Sequence, residues 1–133
     1  ENRWCDCYND TSTVAVPNCV VPRNAKAYYE LHIVEPGTSL EAGWAEIPHK
    51  NLFLAGANEV NWSKHDVIGL GIRPSTEDSE KCRISLSVNG VEKKNVAHRF
   101  KQVEGVVPAV KLGKGARLCF NCGEKPFRFP PQD

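Results

Sequence analysis

Residues 82–91 read Cys82-Arg83-Ile84-Ser85-Leu86-Ser87-Val88-Asn89-Gly90-Val91. Cys82, Ile84, Leu86 and Val88 alternate with Arg83, Ser85 and Ser87. Successive side chains of a strand point to opposite faces, so this period of two describes a strand with one buried face. A helix would place its apolar residues three and four apart instead. Asn89-Gly90 supplies the positive φ angles that a two-residue hairpin turn needs, so strands should flank it on both sides.

The same period recurs outward from this hairpin. Tyr29, Leu31 and Ile33 form a core face, while Glu30 and His32 take the opposite side. Val67-Ile68-Gly69-Leu70-Gly71-Ile72 is a short apolar run whose length and glycines favour a buried strand. Val106 to Val110 and Arg117 to Asn121 read as two more strands. Gly123, Pro126, Pro130 and Pro131 then end regular structure. Val14 to Val21 is rich in β-formers but broken by Pro17, as an edge strand can be. Asn51 to Val60 holds a short turn of helix at most. Many short strands joined by turn signals specify an all-β sandwich or barrel.

The 133 residues suit a single domain with one shared core. A net charge of +1 with neutral histidines gives no general attraction to nucleic acid or anionic lipid. Lys93-Lys94 and the basic stretch from Lys111 to Arg117 read as solvated faces. No apolar run is long enough to span a bilayer, so no membrane insertion is expected. The chain lacks methionine and opens on Glu1-Asn2-Arg3, as a piece excised from a larger protein would. Its six cysteines allow disulfides without requiring them. A strand-built core does not need such staples, so free thiols in a reducing, cytoplasmic setting are expected. Two glycosylation patterns, at Asn9-Asp10-Thr11 and Asn61-Trp62-Ser63, are short enough to arise by chance.

The order of motifs resembles a SPRY (B30.2-like) domain. Its members show Y-Y/F-E, G-W-A, G-D-V-I-G, a strand ending in N-G, P-A-V and a closing N-F-G-x-x-P-F-x-F-P-P. This chain has Tyr28-Tyr29-Glu30, Gly43-Trp44-Ala45, Asp66-Val67-Ile68-Gly69, Asn89-Gly90 and Pro108-Ala109-Val110, then Asn121-Cys122-Gly123 to Pro131. The resemblance covers residues 27–131 and implies one domain over residues 1–133: a bent antiparallel β-sandwich of SPRY or concanavalin-like type. Its two layers should enclose Tyr29, Trp44, Leu86 and Phe127. Three departures stand out. His65 occupies a turn position that is usually glycine. Cys122 replaces phenylalanine and should leave a corner less filled. The segment from Glu46 to Lys64 is short and lacks an Asp-Gly, so the usual ligand pocket should be reduced.

A sandwich of this kind is expected to recognise a protein or peptide through loops at one end, without catalysis. The first candidate is the Asn51–Lys64 segment, with Asn58, Glu59, Asn61 and Trp62. An exposed Trp62 would be a natural anchor; the competing role is a lid over the sandwich. The second is the turn after Pro108-Ala109-Val110, where the resemblance places Lys111 and Leu112 beside a peptide pocket; an ordinary hairpin competes with it. The third is the turn at Arg23 and Asn24, ahead of the Tyr28 strand.

Other chemistries find little support. Cys5-x-Cys7 and Cys119-x-x-Cys122 contain four potential zinc thiolates. Cys119 and Cys122, three apart on a strand, point to opposite faces, so no metal or other cofactor is expected. There is no G-x-S-x-G elbow and no P-loop. Gly69-x-Gly71 lacks a third glycine and lies in a buried strand, which removes a dinucleotide site. Three functions are carried forward. The first is a partner-recruiting module in a multidomain host such as a ubiquitin ligase. The second is a structural domain packing on its own neighbours, and the third a secreted lectin-like sandwich.

Overall fold

The computed structural model describes residues 3–6, 12–15, 19–22, 24–47, 52–55, 62–78, 80–100 and 104–131. In chain order the strands are β1 (Arg3–Asp6), β2 (Ser12–Ala15), β3 (Val21–Pro22), β4 (Ala27–Glu35), β5 (Leu40–Ile47) and β6 (Leu52–Ala55). They continue with β7 (Val67–Pro74), β8 (Cys82–Val88), β9 (Val91–His98), β10 (Gly105–Leu112) and β11 (Arg117–Asn121). The described residues contain no helix. Two antiparallel sheets form, one in the order β1-β11-β4-β7-β8-β9 and one in the order β2-β10-β5-β6, with β3 also paired to β10. This is the all-β sandwich expected from the period-two pattern.

The hairpin forms as its residues require. Asn89 and Gly90 take φ angles of 51° and 86°, and Ser87 and Val88 pair with Glu92 and Val91. Asn89 also ties the turn to its neighbours. Its Oδ1 accepts from the Val67 N–H at 2.9 Å, and its Nδ2 donates to Asp66 Oδ1 at 3.0 Å.

The core lies between the sheets. Tyr29, Leu31 and Ile33 of β4, Leu70 of β7 and Leu86 of β8 pack with Leu40 and Trp44 of β5 and Val110 and Leu112 of β10. The Tyr29 ring meets Trp44 edge-on at 5.0 Å and stacks on Phe120 at 5.8 Å, and its hydroxyl donates to the Gly43 carbonyl. Gly43 is required there: a Cβ would sit 1.8 Å from the Phe53 carbonyl oxygen, where β5 and β6 approach. His65 takes φ = 72°. It holds the left-handed conformation that explains why glycine suits this turn.

Three expectations are corrected. Glu30 is fully buried rather than facing water. Residues 52–55 form a strand, not a helical turn. Phe127 is not enclosed with Tyr29, Trp44 and Leu86; it lies half-buried on the outer face of the larger sheet, with its ring edge-on to Tyr28 at 4.9 Å. The strand at 52–55 has too short an apolar pattern to read, whereas Glu30 and Phe127 are covered by each other's chain segments.

After β11 the chain turns back as a strap across that outer face. Its prolines cannot supply a ladder of N–H donors, so it does not extend the sheet. It is instead pinned from beneath by one carboxylate. Glu30 Oε1 accepts the Arg128 N–H at 2.9 Å, and Oε2 accepts the Phe129 N–H at 2.8 Å and the Tyr28 hydroxyl at 3.1 Å. The single Tyr28 O–H proton is shared between that oxygen and the Phe129 carbonyl, which lies at 2.8 Å. A buried carboxylate is tolerable only when its oxygens are satisfied in this way.

Candidate functional site

The strand register divides the connections between two ends of the sandwich. At one end β4 finishes at Glu35, β7 begins at Val67, β10 finishes at Leu112 and β11 begins at Arg117. The turns there stack on one another through backbone bonds, from Thr38 N–H to the Lys114 carbonyl, Gly113 N–H to Ser39 and His65 N–H to Ile33. At the other end lie Asn24, the start of β4, the Ser75–Lys81 turn between β7 and β8, Phe100, Glu104 and Cys122.

The described cavities gather at this second end and on the adjoining outer face. The first is a narrow cleft of 60 Å³ between Pro22 and Asn24 on one side and Arg73, Pro74, Lys81 and Cys82 on the other, with Phe100 beside it. Burial pushes the Cys82 thiol up to about 11, so at neutral pH it stays protonated and poorly nucleophilic. The second is a cavity of 420 Å³ lined by Cys19, Tyr29, Trp44, Pro108 and Cys122. It opens at the corner where cysteine replaces a larger residue, as the sequence implied. The third is a groove of 1210 Å³ on the outer face of β7, β8 and β9, walled on one side by Arg128, Phe129, Pro130 and Pro131. It shares Arg73 with the first cavity and Tyr28 with the second.

The sequence-predicted residues fall at both ends and are not brought together. Asn24 is exposed, adopts φ = 66° and lines the first cavity. Arg23, Asn58, Glu59 and Asn61 lie outside the described residues. Trp62 is half-buried against the core, with its indole nitrogen shut away from solvent. It acts as the lid over the sandwich rather than as an exposed anchor, because it leads into the turn that seals the end above Ile33. Lys111 is exposed at the turn-stacked end. Leu112 is fully buried, so its side chain belongs to the core and cannot touch a partner; it follows Val110 by two on the inward face of β10. The residues that sequence reasoning missed are Arg73, Arg83 and Arg128, which line the groove. The small residues Gly71, Ser85 and Ser87 at every second position were the available signal, because an outer face so small-sided leaves room above it.

No group of three or more His, Cys, Asp or Glu side chains among the described residues could hold a metal. Cys19, Cys82 and Cys119 are free thiols.

No family model and no curated protein matches the chain. Solved structures do. A human SPRY domain superposes over 89% of this chain and 88% of its own length, with a TM-score of 0.65 and 15% identity. The SPRY domain of human HERC1 covers 90% of this chain and 87% of its own, with a TM-score of 0.63 and 12% identity.

The chain has the SPRY fold.

At such low identity the likeness concerns the path of the backbone and not the surfaces. The shared fold is the pair of antiparallel sheets.

Proposed function

We propose that this SPRY-fold domain is a non-catalytic interaction module that docks a segment of a partner protein at the end bearing Asn24, Arg73 and Lys81. One observation carries the reading: the described cavities lie at that end or run onto it, around Arg73 and Tyr28, while the opposite end is closed by stacked turns. Concave surface on a rigid sheet scaffold is where recognition is placed. The proposal includes a multidomain host, with a ubiquitin ligase among the candidates, in a reducing cytoplasmic setting. The free thiols at Cys19, Cys82 and Cys119 support that setting.

The test compares two charge reversals within the intact host protein. Arg73→Glu alters the cavity end, and Lys111→Glu alters the turn-stacked end; both residues are exposed, so both variants should melt like the parent. Affinity capture followed by mass spectrometry should lose a partner with Arg73→Glu and retain it with Lys111→Glu. The reverse pattern would move the site to the other end. Loss of cross-links to the host's own neighbouring domains, with no separate partner affected, would favour a structural domain instead.

A further inference from the structure

We infer that the outer-face groove binds an extended acidic segment of the partner protein, an inference that rests on the interaction-module reading above. The groove follows β7 and β8 from the paired residues Arg73 and Arg83 to Gly90. Seven residue steps along β8 give a length of about 23 Å, room for roughly six or seven residues of extended chain. Its floor is low. Gly71, Ser85 and Ser87 present almost no side chain, and a Cβ on Gly71 would already meet Ser85 Oγ at 2.6 Å. A peptide backbone can therefore lie close to the sheet.

Charge decides what kind of peptide. Arg73, Arg83 and Arg128 line the groove, and among its described lining residues the one carboxylate is Glu92. The whole chain carries only +1, so this surplus leaves the remainder net negative. Arg73 and Arg83 also stand directly opposite each other on neighbouring strands. Like charges in that relation repel and destabilise the sheet. No carboxylate among the described residues pairs with either one, whereas Arg99 and Lys64, elsewhere on the surface, do have acidic partners. A ligand carboxylate between the two guanidinium groups relieves the repulsion.

The cations are also held in place. Arg83 Nε donates to Asn95 Oδ1 at 2.9 Å and its Nη2 to the Asn95 carbonyl at 3.0 Å, while Asn95 Nδ2 donates to Glu92 Oε1 at 3.2 Å. Of the five guanidinium N–H donors, three make no bond to the described residues and are left for a ligand. The Arg128 guanidinium lies over the Phe129 ring at 5.8 Å, and its backbone is fixed by Glu30. Arginines set in this way suit bidentate recognition of carboxylates.

The test uses an array of random decapeptides graded from basic through neutral to acidic, probed with the labelled domain and followed by fluorescence anisotropy on the strongest sequences. Binding should rise with carboxylate content and fall as salt is raised from about 50 to about 300 mM. Arg73→Gln and Arg83→Gln should each weaken the best acidic peptide by about tenfold or more. Lys111→Gln should leave it unchanged. Should Arg83→Gln lower the melting temperature, Arg73→Gln alone carries the comparison. Equal binding of acidic and neutral peptides overturns the inference, as does indifference to both arginine variants. Displacement of the peptide by inositol hexakisphosphate at equal affinity also overturns it in favour of a generic anion site. Neutral or basic peptides that bind and are lost with Arg73→Glu would overturn acid selectivity while leaving the interaction module standing. An array with no binder of any class overturns the inference, and the host-protein capture then reports separately on the module.

Discussion

Replacing Glu30 by glutamine keeps the side chain's size and removes half of what it does. The carboxylate accepts the N–H groups of Arg128 and Phe129 on separate oxygens, at 2.9 and 2.8 Å, with the side chain fully buried. Hydrogen bonds to a charged acceptor contribute about 1.5–3 kcal/mol each. A glutamine oxygen would keep one of them as a weaker neutral bond of about 1 kcal/mol, and the amide NH2 would oppose the other N–H donor to donor. The expected loss is about 3 kcal/mol, limited by the strap's freedom to peel away and let water satisfy the orphaned groups. Native-state hydrogen exchange distinguishes peeling from global unfolding. In Glu30→Gln the amides of Arg128 and Phe129 should lose their protection, while that of Leu31 in the core should continue to exchange only through global opening. Unchanged protection at Arg128 and Phe129, with a denaturation midpoint like the parent's, would refute the account of the strap. Tyr28→Phe probes the same fastening from another side. It removes the 2.8 Å bond to the Phe129 carbonyl and should cost about 1 kcal/mol.

Trp44→Ala should lower stability by about 3–5 kcal/mol in chemical denaturation, since the side chain is 1% exposed and lies between the sheets. Trp62→Ala should also lower the denaturation midpoint, by about 2 kcal/mol, because Trp62 packs on the core; a parent-like melt would return it to the list of exposed anchors. Asn89→Gly keeps a turn residue that accepts φ = 51° but removes the side-chain bonds to Val67 and Asp66, so a cost of about 1–2 kcal/mol is expected. Burial among Phe53 and Phe100 lowers the His98 pKa below the ordinary 6.5, against an opposing pull from Glu46. The folded state thus binds this proton less readily than the unfolded state. The contribution is present above pH 6.5 and is lost as pH falls through the lowered folded value, so stability should decline on acidification from this residue. Denaturation curves of His98→Phe across pH 5–7.5 should show a shallower acid slope.

The sequence by itself determined the sheets. Alternation in β8, the Asn89-Gly90 turn and the apolar run of β7 are local features, and each states its own strand because a strand's two faces are written at every second residue. The inward set of Tyr29, Leu31 and Leu86 followed from the same rule, and Trp44 joined it through the resemblance to SPRY domains. The thinner corner at Cys122 was implied by the resemblance, which sets a cysteine where a phenylalanine is usual. Only the tertiary structure decided which outer faces stay open to water. Glu30 reads as a solvent-facing residue until the strap, some hundred residues later, lays its N–H groups upon it. Leu112 and Trp62 sit in segments that read as loops, yet their side chains turn inward where the closed end needs filling. The groove depended on pairing most of all: Arg73 and Arg83 become neighbours only through the β7–β8 register, and Arg128 joins them only because a carboxylate on β4 holds the tail across the sheet. Burial pattern is local information, whereas the company a surface charge keeps is set by long-range contacts.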